Sequence, residues 1–388
     1  MRTPMIRRAA LAAMTCLLCG LAQAAQPLLP AGDHDQVPSR LVRLPAPVGE
    51  FERQPVTFAW ALDPALSLSE TPPYQASSRE YWLTVAGDAL QRGVTLPMSA
   101  PNALIRVSPA NGATALRAED FKLTLQGWPV GVARVADTQA LRQAGMDVSA
   151  GTQVLRLGAG SGAGRAQLQA ARAQGRYVIH VFEPDSPVVL HARAERSQAL
   201  AGDTLRVQIG ATGGALRASA LLVAPDGRSQ PVNVRRTPAG TQEAVFTLPT
   251  RPAAAPGLWE LQVFSDIDGI PRDARTAFGV AQPTARLAGT FAIDGSRLRV
   301  SLPVQVAAPG RYEVRGTLYA TAPDGSLRPV SQAHSAAWLT PGTGVLVLPF
   351  PREHLPAGYG APFELHQLQL NDQTRMAPLE LRDRAARF

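Results

Sequence analysis

Asp266-Ile267-Asp268-Gly269, with Asp273 four residues further on, is the stretch of this chain best suited to hold a ligand. Carboxylates at alternating positions before a glycine can turn inward around calcium, which takes hard oxygen ligands. A complete loop of that kind also wants further oxygens and a bidentate glutamate, and none follows. The same residues have a plainer use. Asp268-Gly269 can turn a hairpin between Val263 and Phe278, with Asp266 capping the turn. The hairpin turn is the expected reading, with Asp266, Asp268 and Asp273 as a calcium candidate beside it, and no other cofactor is expected.

Other chemistry is sparse. Gly158-Ala159-Gly160-Ser161-Gly162-Ala163-Gly164 follows an apolar run and invites a dinucleotide reading. Such a loop needs a helix N-terminus for the pyrophosphate and an acid about 20 residues on. Glu183 stands near that distance but in a proline-bounded joint, so a hairpin loop is the better account. His34, His180, His191, His334, His354 and His366 show no metal-ligand spacing. His-Glu-x-x-His, Gly-x-Ser-x-Gly and the phosphate-loop motif are all missing. Trp259 and Trp338 could stack sugars, although one tryptophan per apolar run reads as core, and Trp82 and Trp128 pose the same question.

The elements that must position these residues begin after an N-terminal segment with its own logic. Arg2, Arg7 and Arg8 precede an uncharged apolar run from Ala9 to Leu21, and Ala22-Gln23-Ala24 gives a small-x-small cleavage pattern. Residues 1–24 thus read as a signal peptide, and the protein as exported, to the periplasm or beyond the cell. The run is too short to span a bilayer. Both cysteines, Cys16 and Cys19, fall inside it, so the mature chain has no cysteine for disulfides, thiolate metal sites or nucleophiles. Lipidation at Cys19 is the alternative, but Leu18 is poorly shaped for it.

The formal charge of +8 loses three with Arg2, Arg7 and Arg8, and Lys122 is the only lysine. The arginines are dispersed among acids, as in Arg382-Asp383-Arg384. A nucleic-acid surface wants a clustered basic face with interleaved aromatics, and only 6% of residues are aromatic, so that partner is excluded. Hydrophobic residues make up 45% of the chain, enough for packed cores, while 33 glycines and 34 prolines punctuate short apolar runs. That is the pattern of many short strands.

Residues 25–74 read as a loose Pro-rich leader in which Val56-Thr57-Phe58-Ala59-Trp60 forms a strand docking onto the first domain. Residues 75–185 read as a β-rich domain with one short helix from Thr138 to Ala144, Asp137 as its N-cap and Gly145 just past its end. A strand–turn–strand closes it, from Arg165 through Phe182. Glu183-Pro184-Asp185-Ser186-Pro187 reads as an interdomain joint open to proteolysis. Residues 188–281 and 284–388 read as immunoglobulin-like sandwiches, from short alternating runs with frequent turns. They share an echo: Ala224-Pro225-Asp226-Gly227 with Pro231-Val232, and Ala322-Pro323-Asp324-Gly325 with Pro329-Val330, at an offset of 98 positions. Equivalent hairpins follow, with each second proline suited to an edge.

Tyr81-Trp82-Leu83-Thr84-Val85-Ala86-Gly87, Leu90, Gly93-Val94 and Ala103-Leu104-Ile105-Arg106-Val107-Ser108-Pro109 resemble a family of exported bacterial proteins, domain-of-unknown-function 4785. Tyr177 through Pro187, Gly310-Arg311-Tyr312, Trp338-Leu339, Leu370-Asn371-Asp372 and Arg375-Met376 are similar too. The likeness spans about residues 75–388. It implies a three-part, immunoglobulin-like, exported architecture without an agreed activity, and it transfers no functional residue.

The sequence therefore points to a mainly β protein of tandem sandwiches, the last two immunoglobulin-like. Its expected role is non-enzymatic: binding, adhesion or envelope structure, toward a protein or glycan surface. The alternative is a hydrolase, or an accessory to one, with its site in the first domain. A cleft gathering two of Asp88, Glu119, Asp120 and His180 would favour it.

Overall fold

The computed structural model describes residues 25–66, 68 and 72–388; the signal-peptide reading, with Cys16 and Cys19, lies outside them. Among the described residues the fold is mainly β, with two short α-helices, Gly87–Arg92 and Thr138–Gln143. Among the described residues no helix is long and apolar enough to cross a membrane. The chain forms two compact units. One runs from Leu68 to Pro283 with Ala377–Leu379; the other comprises residues up to Ser67 with Thr284–Met376 and Glu380–Phe388.

The first unit holds two sandwiches. In its N-terminal sandwich the strands Glu80–Ala86, Arg176–Phe182, Leu104–Pro109, Gln153–Leu157 and Val132–Asp137 lie in that order in one sheet. Val94–Met98, Gly164–Ala170, Phe121–Leu125 and Trp128–Pro129 form the other. Alternation places Tyr177, Ile179 and Val181 inward from one strand and Ala166, Leu168 and Ala170 from another. The second sandwich closes over Leu205, Val207, Ile209, Leu261, Val263 and Phe278.

Sequence expectations meet this unit unevenly. The helix at Thr138–Gln143 forms as expected: the Asp137 carboxylate accepts from the Ala140 amide, and Gly145 stands at φ +81. The helix Gly87–Arg92 was not foreseen. The glycine loop at 158–164 is not a hairpin, because its flanking strands belong to different sheets and the loop crosses between them. Gln75–Ser78 belongs to the second sandwich, where it pairs with Val189–Ala194, so the boundary at residue 75 falls a strand too early. The joint at 183–187 is anchored rather than free: Glu183 and Ser186 are buried, while Pro184, Asp185 and Pro187 are exposed.

In the second unit the strand Arg299–Val306 alternates strictly, burying Val300, Leu302, Val304 and Val306. It pairs with Thr290–Asp294, Ala285–Leu287 and Gly342–Pro349. The facing sheet runs Val56–Ala61, Leu327–Leu339, Gly310–Thr321, Gly360–Asp372, Ala377–Arg387.

The leader corrects the expectation most. It is Pro-rich but not loose. Gln26 and Pro27 pair with Phe291 and Thr290, Gln36 bridges Leu381, and Leu28 is buried. Its strand Val56–Ala61 docks onto the C-terminal sandwich, register Val56 to Ala336, and not onto the first domain.

The echoed turns are the same structure twice. In each, the alanine amide bonds forward to residue 228 or 326, and the glycine sits at φ +82. Pro231 lies on an edge strand. Pro329 lies just outside the 331–336 stretch that pairs with the leader strand, so its missing donor costs no ladder bond there.

Candidate binding face

The outer surface of the C-terminal five-stranded sheet gathers side chains from four strands into rows. Register places Phe58 beside His334, His334 beside Arg315, and Arg315 beside Gln369. The next row runs Trp60, Gln332, Thr317, His366, and the row on the other side runs Val56, Ala336, Glu313, Asn371. Residues directly opposite on paired strands share a face, so each row projects to one side.

Phe58, Trp60 and His334 make three near-parallel rings with centroids 5.1–5.8 Å apart. Phe58 is 49% exposed and Trp60 40%. Tyr319 stacks on His366 at 4.2 Å toward the far side of the same sheet. Three strand spacings separate Trp60 from His366, roughly 14 Å, while His334 and Tyr319 stand on neighbouring strands. Amides and charges border them: His334 Nδ1 is 2.7 Å from Glu313 Oε1, and the Asn371 amide donates to Glu313 Oε2 at 3.1 Å.

Glu364, nearly buried, is held by His366 at 2.9 Å and by Arg384, with Arg387 at 3.8 Å. Burial pushes its carboxyl up, but the Arg384 and His366 hydrogen bonds outweigh that and hold it below the usual range. Gln367 beside it takes φ +44 where the pairing shifts register, and its Oε1 is buried without a hydrogen-bond partner.

The other tryptophans are less available. Trp259 is core, as its sequence context implied. Trp338 is not core: it is half-buried on the outer face, met by Phe51 at a tilt and covered by Arg53 at 4.5 Å. Trp82 is occupied on both faces, by His180 at 4.4 Å and Arg275 at 5.4 Å. Trp128 stands 78% exposed after a two-residue turn at Gln126-Gly127, both with positive φ. It borders a cleft of about 410 Å³ with Gly158, Gly160 and Ser161, whose lining holds no carboxylate or imidazole.

The calcium residues are not brought together. Asp268-Gly269 makes the two-residue turn, with φ of +49 and +86, between strands paired from Trp259–Phe278 to Ile267–Ile270. Asp266 Oδ1 accepts from the Gly269 amide and Asp268 Oδ2 from the Ala215 amide. Asp273 sits back along the hairpin opposite Phe264, its Oδ2 accepting from the Trp82 amide at 2.7 Å. Its carboxyl is raised above the usual range by burial, against the pull of that amide and of Arg275. No three His, Cys, Asp or Glu side chains among the described residues form a metal-sized group.

The hydrolase residues are equally dispersed. Asp88 pairs with Arg92 on an exposed helix, Glu119 with Arg117, Asp120 with Arg172, and His180 with Glu80. His334, His354 and His366 face Glu313, Ser331 and Glu364 respectively, not one another. The i, i+2 spacing of Phe58 and Trp60 is the one sequence signal of the face, and by itself it specifies only a strand.

Family models for the N-terminal and C-terminal domains of DUF4785, a domain of unknown function, match residues 47–183 and 284–388. The chain belongs to the DUF4785 family. A crystal structure of a DUF4785 family protein from Legionella pneumophila is 20% identical, with a TM-score of 0.65 over 89% of this chain and 98% of that one. At that identity it shares the fold. Domains A168–A170 of titin (11% identity, 81% and 97% covered) and Escherichia coli alpha-2-macroglobulin (12%, 84% and 32%) reach TM-scores of only 0.19 and 0.20. Those two carry no argument about this member of DUF4785. No curated protein matches it.

Proposed function

We propose that this DUF4785 protein is an exported, non-enzymatic binding protein, periplasmic or extracellular, that recognises a glycan through the outer face of its C-terminal sheet. The observation that carries the reading is the exposed pair Phe58 and Trp60, ring-aligned with His334 and bordered by Gln332, Gln369, Asn371 and Glu313. Aromatic rings offer apolar faces to sugar C–H groups, while amides and carboxylates meet hydroxyls. The dispersal of Asp88, Glu119, Asp120 and His180 supports binding over hydrolysis. Retardation of the protein on native gels cast with envelope polysaccharides tests this. Wild type should be retarded and Phe58→Ala/Trp60→Ala should run free.

A protein partner is the second reading. Val56–Ala61 ends its sheet, so its outer backbone groups are open to an added strand. Capture of a protein from the native envelope that survives Phe58→Ala/Trp60→Ala would favour it.

A further inference from the structure

We propose that the saccharide taken by this face is acidic, a uronic-acid-containing chain, and that Arg315 reads its carboxylate; the inference rests on the glycan reading above. The face carries two carboxylates, and both are already engaged. Glu313 is tied to His334 and Asn371; Glu364 is tied to His366, Arg384 and Arg387. Arg315 stands in the central row between His334 and Gln369, exposed, with no hydrogen bond or ion pair to its guanidinium among the described residues. Arg315 is thus the guanidinium of the central row that neither a carboxylate nor a carbonyl holds.

The position matters as much as the charge. A chain crossing the strands along the row Phe58, His334, Arg315, Gln369 spans roughly three strand spacings and passes over Arg315. Phe58 and His334 stack at one end of that row while the guanidinium meets the sugar beyond them. A guanidinium fork matches a planar carboxylate with two parallel hydrogen bonds, which a lysine cannot do. A densely sulfated or phosphorylated chain fits less well, because Glu313 and Glu364 would repel its many charges.

The test uses the full chain with polygalacturonate, its methyl ester and dextran sulfate as probes. Wild type should bind polygalacturonate at least tenfold more tightly than the methyl ester, the same sugars without charge. Arg315→Gln should erase that difference, and Arg315→Lys should restore only part of it, with melting midpoints unchanged because the side chain is exposed. Equal binding of acid and ester, Arg315→Gln binding polygalacturonate as wild type does, or preference for dextran sulfate would each overturn the inference. Retention of the methyl ester that needs Trp60 but not Arg315 would do so while leaving the glycan reading intact. No retention of any of the three overturns the inference too, and the envelope-polysaccharide gels then decide the wider reading alone.

Discussion

Glu183 and Arg272 meet at 2.5 Å with neither side chain exposed to solvent. Glu183 directly follows the last strand of the N-terminal sandwich, and Arg272 lies on the second strand of the Asp268-Gly269 hairpin in the next one. Glu183 also accepts from the Ser99 and Ala100 amides, while Arg272 donates to Ser99, Ser186 and the Val188 carbonyl. Every polar atom of the pair is satisfied, as a buried charge pair requires. The two sandwiches of this unit are therefore pinned where the sequence suggested an open joint.

Removing one partner leaves the other charge buried and unpaired. Glu183→Ala should destabilise the unit by about 3–5 kcal/mol. Denaturant unfolding of wild type and variant measures it. Limited proteolysis should spare the chain near Pro187 in wild type and cut there in the variant. Early wild-type cleavage at 184–187 would contradict the pinned joint.

Asp273 gives a pH signature. Its folded carboxyl holds a proton more tightly than the unfolded one, because burial disfavours the charge more than the Trp82 amide and Arg275 favour it. Its contribution is thus most favourable below the ordinary carboxylate range and is lost as pH rises through the raised value. Asp273→Asn keeps an acceptor for the Trp82 amide and has no charge to bury. The stability of Asp273→Asn relative to wild type should rise with pH from the ordinary carboxylate range upward. Melting midpoints from pH 3 to 8 check this; a constant difference would contradict it.

At the Asp266 loop, each carboxylate that might have held calcium is hydrogen-bonded to a different backbone amide. Millimolar calcium should leave the melting midpoint where it is. A rise of several degrees, abolished by Asp268→Asn, would show that the three acids can reconverge around an ion.

The sandwiches were legible because period-two burial is written locally, as in Val300, Leu302, Val304 and Val306. So were the capped helix after Asp137 and the twin turns at Asp226 and Asp324, each set by neighbouring residues. Long-range pairing was not. Nothing near Gln26 announces Phe291 as its partner, and nothing near Val56 announces Ala336. The helix Gly87–Arg92 was hidden by its opening glycine, whose reason is distant: a Cβ there would meet the Ala173–Gln174 backbone at 2.8 Å. For the same reason the binding face was invisible: its aromatics and its polar groups come from strands that only the fold brings side by side.

Binding by the Trp60→Ala single variant tests the central claim most directly. Trp60 is 40% exposed on an edge strand, so its loss should leave the melting midpoint within a few degrees of wild type. Titration with the envelope polysaccharide that retards wild type should show affinity at least tenfold weaker, the equivalent of about 1.4 kcal/mol. Unchanged affinity in a folded Trp60→Ala protein would contradict recognition through this face.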